Sequence, residues 1–218
     1  MINLDLHTHS IASPDGSLNE RHYRRYFDQR LLDVIAITDH NRIDYALKLA
    51  ETFGQHVIVG EEIMTSQGEL VGLYLTKPVA PQQTAAATVA AIKAQGGLVY
   101  VPHPFETRRH SLSRETLDSI IKDVDIIETH NGRAWTDNSP VIIEYAALYA
   151  KPQAASSDAH SPSGLGKTHM QVANWPTPQT LSKLVDDAHL THSRPPLSAH
   201  LAPSFNRLRH ALHLIKHV

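Results

Sequence analysis

Asn3-Leu4-Asp5-Leu6-His7-Thr8-His9 reads as an apolar strand that runs into two histidines spaced i, i+2. On a strand that spacing turns both imidazoles to one face, so one rigid element can aim them at a single ion. A His-x-His pair is common, and alone it describes the end of a half-buried strand as well as it describes a metal site. The rest of the chain decides, because residues able to ligate a metal keep appearing just past the ends of apolar strands.

Short runs rich in Val, Ile and Leu alternate with amphipathic or alanine-rich segments, the pattern of strands alternating with helices. After the first strand comes the turn signal Ser13-Pro14-Asp15-Gly16 and a polar helix over about Leu18 to Arg30. Val34 to Ile37 ends in Thr38-Asp39-His40. A helix over Ile43 to Phe53 precedes the strand His56 to Val59, which ends in Gly60-Glu61-Glu62. Ile63 to Thr65 and Leu70 to Leu75 flank Ser66-Gln67-Gly68-Glu69 as a hairpin. An alanine-rich helix, Gln82 to Gln95, stops at Gly96-Gly97, and the strand Leu98 to Val101 ends in Pro102-His103-Pro104. A helix over Arg114 to Lys122 leads to the strand Asp125 to Glu128, followed by Thr129-His130-Asn131-Gly132-Arg133. After a helix over Val141 to Tyr149, Ala154 to Ser157 ends in Asp158-Ala159-His160. The tail predicts two helices, Pro178 to Ala188 with Thr177 as N-cap and Ser204 to His217, separated by a Pro-rich connection over Arg194 to Pro203. Phe205, Leu208, Leu212 and Ile215 give the last helix an apolar face, expected to pack on the barrel or on another subunit. About seven strands result. In α/β folds chemistry gathers at the C-terminal ends of strands, and a closed or distorted barrel brings all these ends together where an open sheet would spread them along an edge.

With 218 residues, 41% of them hydrophobic and 19% charged, the chain is expected to form one domain over residues 1–218. The formal net charge of -2 gives no global field that demands nucleic acid or an anionic membrane as an obligatory partner. No run of the ~18 apolar residues needed for a membrane span occurs. The chain has no cysteine, which excludes disulfides and thiolate chemistry and fits a cytoplasmic protein. It has sixteen histidines. Any bound metal must therefore be held by imidazole and carboxylate.

Taken together, H-x-H, S-P-D-G, T-D-H, G-E-E, G-G-L-V-Y-V-P-H-P and S-D-A-H resemble the polymerase and histidinol phosphatase (PHP) domain family of metal-dependent hydrolases, in the right order from His7 to about Gly166. The resemblance implies a distorted (β/α)7 TIM-like barrel, with the helices of 177–218 packed on it, that holds two or three divalent ions and hydrolyses phosphoesters. It implies that His7, His9, Glu62 and Asp158 hold one ion, that Glu62 bridges to a second ligated by His103, and that Asp15, His40 and His160 hold a third. Zn, Mn and Fe all suit such ligands. Ions neutralise the charge by which a phosphoester resists attack, and a water bound to them ionises near neutral pH.

Many relatives carry a histidine in the strand after the bridging glutamate, where this chain has Glu69-Leu70-Val71-Gly72-Leu73-Tyr74. Glu69 is the candidate replacement. Asp39 and His130 complete the catalytic set: Asp39 as a carboxylate behind the ligands, and His130 as an added ligand, a proton donor to the leaving group or a structural residue. Arg108, Arg109 and Arg133 lie on loops at the same barrel end, and their forks match phosphate oxygens. The expected substrate is a small phosphorylated metabolite, a nucleotide or a short oligonucleotide. The rivals are an amidohydrolase-like C–N hydrolase and a weakly catalytic metal-binding domain that serves a protein partner. Many hydrolases of the first kind bridge their ions with a carboxylated lysine, and Lys77, Lys93 and Lys151 all lie away from the ligating strand ends. The second would be expected to have lost ligands. The tail histidines, from His189 onward, fall outside the motif order and are read as structural.

Overall fold

The computed structural model describes residues 1–212. Strands and helices alternate as β1 (Ile2–Asp5), α1 (Glu20–Asp28), β2 (Val34–Ile37), α2 (Asp44–Phe53), β3 (Val57–Thr65), β4 (Gly68–Leu73), α3 (Ala85–Lys93) and β5 (Leu98–Val101). There follow α4 (Arg114–Ile120), β6 (Ile126–Asn131), α5 (Ser139–Leu148), β7 (Gln153–Ser156), β8 (Thr168–Val172), α6 (Leu181–Asp186), β9 (His189–His192) and α7 (Leu197–Ala211). All strands belong to one sheet, ordered β7-β6-β5-β4-β3-β2-β1-β8-β9. β1, β2 and β3 run parallel, as do β5, β6 and β7, and β4 is an antiparallel strand between the two sets.

Closure occurs at one end only. Along its first half β1 pairs with β8, Leu4 opposite Met170, while just past its end Thr8 bridges Ala159 in parallel. There the His9 N–H donates to the Ala159 carbonyl at 2.9 Å. The sheet is a nearly closed barrel, shut at the C-terminal mouth by β1 against β7 and wedged apart at the other end by β8. This is the distorted TIM-like barrel that the motif order implied.

Side-chain alternation divides the apolar residues between inside and outside. In β2, Val34 and Ala36 join Leu4, Leu6, Ile58 and Tyr100 in one core, while Ile35 and Ile37 pack with Tyr23, Ala46 and Leu49 of α1 and α2. A third core sets Val99, Val101 and Ile127 against α3, α4 and α5. Each fully buried Leu or Ile contributes roughly 1.5–3 kcal/mol. Among the described residues no helix is long and apolar enough to cross a membrane.

Four expectations change in the last quarter of the chain. The strands β8 and β9 were not anticipated; in Thr168–Val172 alternate residues are buried, but polar Thr, His and Gln mask the pattern. Helix α6 begins at Leu181 rather than Pro178, because the N–H groups of Thr180 and Leu181 both donate to the Thr177 carbonyl in a preceding turn. Helix α7 begins at Leu197 and continues through Pro203, where a Pro-rich connection was expected. Interior proline costs ~3 kcal/mol. Burial of Ala199, Ala202, Pro203, Asn206 and His210 on the barrel mouth offsets it. The face expected to pack points outward instead, with Phe205 61%, Leu208 55% and Leu212 59% exposed. Ile215 and the helical reading up to His217 lie outside the described residues.

Candidate metal centre

The mouth of the barrel collects the ligand-type residues. Beyond β1, Thr8 turns outward, its hydroxyl donating to the Ala36 carbonyl at 2.7 Å, so His7 and His9 on either side turn inward. Their Nε2 atoms lie 3.1 Å apart. Glu62, within β3, places Oε1 3.3 Å from His7 Nε2 and 3.2 Å from His103 Nε2, and Oε2 3.3 Å from His9 Nε2 and 3.1 Å from His40 Nδ1. Asp158 Oδ1 lies 3.8 Å from His7 Nε2 and 3.4 Å from His9 Nε2. Asp15 Oδ1 is 3.5 Å from both His40 Nε2 and His160 Nε2, and Glu69 Oε2 is 3.7 Å from His103 Nε2. The structure thus brings all nine metal-ligand candidates together. They form four overlapping groups able to hold an ion: His9 with Asp15, His40 and His160; His7 with His103 and Asp158; His7 with His9 and Glu62; and His40 with Glu62 and Glu69.

Local backbone is bent to achieve this. Asp158 and His103 have positive φ of 50° and 31°, a conformation that side chains other than glycine rarely adopt. Gly16 holds Asp15 in place by close approach: a Cβ there would stand 1.9 Å from the Ser10 carbonyl oxygen.

The protons on three of the imidazoles are fixed from behind. His7 Nδ1 lies 3.2 Å from Glu128 Oε1, a carboxylate that only accepts. His160 Nδ1 meets both an acceptor, the Asp158 carbonyl at 2.9 Å, and a donor, Arg133 Nη1 at 3.1 Å, so its proton is not fixed in this way. Ser13 Oγ donates to Asp39 at 2.9 Å, so it accepts from His9 Nδ1 at 3.3 Å. Ser111 Oγ donates to the His103 carbonyl at 2.7 Å and therefore accepts from His103 Nδ1 at 3.0 Å. Three histidines, His7, His9 and His103, are thereby held as Nδ1–H tautomers with bare Nε2 lone pairs aimed at one another and at carboxylates. Such lone pairs repel unless a cation lies among them. Bonds of ~2.0–2.1 Å to a tetrahedral ion set neighbouring donors roughly 3.3 Å apart, in the middle of the separations above. The residues present fit a cluster of divalent ions.

The carboxylates also draw positive charge into the site. Burial pulls the His7 pKa down, but the carboxylates of Asp158, Glu62 and Glu128 outweigh it and raise it well above the ordinary value. His40 is raised in the same way, against burial, by Glu62 and Asp15. Burial, with His160 and His40 nearby, pushes His9 down to about 3. Glu69 is pushed up to about 8 by burial and by the charge of Glu62.

Asp39 lies behind the ligands: it accepts from the Ser10 N–H at 2.6 Å, the Ser10 hydroxyl at 2.5 Å and the Ser13 hydroxyl, so it ties down the loop after β1 and holds the hydroxyl that accepts from His9 Nδ1. His130, in β6, turns to the other side: its Nδ1 meets Thr129 Oγ1 at 3.0 Å and its ring packs 5.6 Å from that of His192. It belongs to no ligand group. Arg109 and Arg133 do converge, both pairing with Asp158, and they line a cavity of about 330 Å³ with Arg108.

Sequence reasoning missed two residues here. Glu128 accepts from His7, from the Tyr100 hydroxyl at 2.7 Å, from the His103 N–H at 2.6 Å and from Asn131 Nδ2 at 2.8 Å. Its signal was a lone carboxylate at the end of the apolar run Ile126-Ile127. Arg207, on α7, reaches Asp15 Oδ2 at 2.9 Å and lines the same cavity; no pattern in the tail marks it.

No family model matches the chain. The uncharacterized protein MJ0417 of Methanocaldococcus jannaschii is 33% identical over 186 residues, which cover 82% of this chain and 75% of that protein. Among solved structures, a two-domain protein from Bacteroides vulgatus containing a predicted PHP-like metal-dependent phosphoesterase matches 88% of this chain with a TM-score of 0.66 at 22% identity. This chain spans 65% of that protein's length. An amidohydrolase from Chromobacterium violaceum, solved with bound sulfate and no metal, matches 86% of this chain and 98% of its own, with a TM-score of 0.61 at 17% identity. The chain belongs to the family of MJ0417, and its fold is that of the PHP-like metal-dependent phosphoesterases, as its motifs implied.

Proposed function

We propose that the chain is a metal-dependent phosphoesterase with two or three divalent ions at the barrel mouth. The observation that carries this reading is the set of three tautomer-fixed imidazoles, His7, His9 and His103, whose Nε2 lone pairs converge with Glu62 and Asp158 beside Asp15, His40 and His160. His7, His9, Glu62 and Asp158 would hold one ion, Glu62 with His103 and Glu69 a second, and Asp15, His40 and His160 a third. Bound there, Zn, Mn or Fe would supply charge neutralisation and a water that ionises near neutral pH. The chain's own task is to bind and orient the ester. Arg108, Arg109, Arg133 and Arg207 ring the cavity, and arginine forks match the oxygens of phosphate. Glu128 and Asn131 hold His7 and Asp158 in place from behind.

C–N bond hydrolysis is the second reading, favoured by the amidohydrolase among the structural matches. The lining counts against it, since four arginines and no lysine line the cavity among the described residues. Elemental analysis of purified protein, joined to a screen of phosphomonoesters, phosphodiesters and amides with added Zn, Mn or Fe, tests the choice. Retained metal with ester hydrolysis is expected. Amide hydrolysis without ester hydrolysis, or no metal bound at all, would overturn the proposal.

A further inference from the structure

The cation cluster occupies one end of a longer depression. Trp135 and His200 line both the site cavity and a neighbouring cavity of about 470 Å³. Arg194 lines that second cavity and also a groove of about 680 Å³ bounded by Arg25, Tyr26 and Lys167. Four parts of the chain build this depression: the loop after β6, the loop between β7 and β8, the segment from β9 into the start of α7, and the outer surface of α1.

Its chemistry changes along its length. At the junction with the site, the Trp135 and His200 rings lie 4.7 Å apart at 39°, and Trp135 is 52% exposed, so its ring is available to a flat ligand. Beyond it, Arg194, Arg25 and Lys167 are exposed, and none of them is in an ion pair among the described residues. Among the described residues the one carboxylate lining either outer cavity is Asp137, which accepts from the Ser139 N–H at 3.1 Å. The chain as a whole carries a net charge of -2, so this basic groove is a local feature. A compact phosphorylated metabolite held within the first cavity would leave the cations past the aromatic pair unused. Unpaired cations along a groove, beside exposed aromatic rings, are the elements by which proteins hold single-stranded nucleic acid.

We propose that the three cavities form one track for a short single-stranded oligonucleotide. The phosphodiester to be cut lies at the cation cluster, an adjacent base stacks on Trp135, and later phosphates meet Arg194, Arg25 and Lys167. The inference rests on the phosphoesterase reading and selects its substrate class. Hydrolysis adds one water across the diester: its oxygen bonds to phosphorus, the bond from phosphorus to the sugar oxygen breaks, and that oxygen leaves with a proton.

Two measurements test the track. In the first, a fluorescein-labelled single-stranded pentanucleotide is bound to chelator-treated protein and followed by anisotropy across a salt series. Three phosphate contacts predict that log Kd rises with log salt at a slope of about 2. The triple variant Arg25→Glu, Lys167→Glu, Arg194→Glu should weaken binding at least tenfold and flatten that slope, and Trp135→Ala should weaken it at least ~5-fold. In the second, metal-loaded protein is given the pentanucleotide or bis(p-nitrophenyl) phosphate. The ratio of the two kcat/KM values should fall by a similar factor in the same variants. Parent protein that cuts the compact diester but fails to bind the pentanucleotide, or a triple variant that binds it like the parent, overturns the track and leaves the phosphoesterase reading standing. Binding with the expected slope but no hydrolysis of any ester supports the track as a nucleic-acid site and overturns that reading.

Discussion

Glu128→Gln preserves shape and removes one acceptor oxygen, and the four donors around Glu128 decide its effect. Oε1 accepts from His7 Nδ1 and the Tyr100 hydroxyl, and Oε2 from the His103 N–H and Asn131 Nδ2. An amide turned with its NH2 toward the second pair strands two buried donors, at ~1–3 kcal/mol each. Turned the other way it strands fewer, because the Tyr100 hydroxyl can donate instead to Ser156 Oγ, 2.9 Å away, and accept from the amide. His7 then faces a donor at Nδ1, and it escapes by moving its proton to Nε2, the atom that points into the cluster. The cheaper orientation is therefore the one that disables a metal ligand. Loss of such a supporting carboxylate typically costs about 10–100-fold in metal affinity. Competition with a chromogenic chelator measures the affinity, and urea denaturation of metal-free protein should show a loss smaller than the ~1–3 kcal/mol of a stranded donor, since the tautomer change leaves none. A variant that binds Zn or Mn within twofold of the parent would show that Glu128 does not set the His7 tautomer, and the converging lone pairs would no longer speak for a cation.

Three further outcomes rest on the same geometry. The double variant His7→Ala, His9→Ala should lose ester hydrolysis and most bound metal while far-UV circular dichroism stays native; full activity would remove these residues from the site. Arg109→Ala should weaken turnover of phosphorylated substrates about tenfold or more with unchanged metal content, since it removes a buried guanidinium at the cavity wall; parent-like kinetics would reject the phosphate clamp. The third concerns His22, whose Nδ1 accepts from the Asn19 N–H at the start of α1. Burial, with Arg21 and Arg25 nearby, lowers its pKa. A lowered folded value means that its stabilisation is present above about pH 6.5 and is lost as pH falls. His22→Gln keeps an acceptor at that position and should reduce the loss of stability measured by urea between pH 7.5 and pH 5. Parallel curves for the two proteins would refute this.

The barrel and most of the nest were legible because they depend on short-range pattern. A ligand just past an apolar strand is visible in sequence, and parallel strands bring such positions to one mouth whatever the helices between them contain. Residues that act across the fold leave no such mark. Glu128 serves His7 from the strand β6, and its role depends on which side of a bulge between Glu128 and His130 each side chain emerges. The same bulge explains the misplaced His130, which simple alternation from Glu128 would have turned inward. Asp39 sits beside a ligand in sequence, yet faces the opposite way, toward Ser10 and Ser13. Helix α7 was unreadable for another reason: its proline argued for a break locally, while the burial that keeps it helical comes from the loops of Asp15 and His160, to which Asn206 donates at 2.8 and 3.0 Å.

The contact of Thr8 with Ala159 ties assembly of the centre to completion of the barrel. Nearby, the Ser157 N–H donates to Asp5 Oδ1 at 3.0 Å across a separation of 152 residues. So distant a pairing makes ring closure slow and late. His7 and His9 precede Asp158 and His160 in the chain but meet them only when the last parallel strand has docked. A nascent or truncated chain thus presents at most a half-nest, and tight loading with metal becomes a marker that the polypeptide has finished folding.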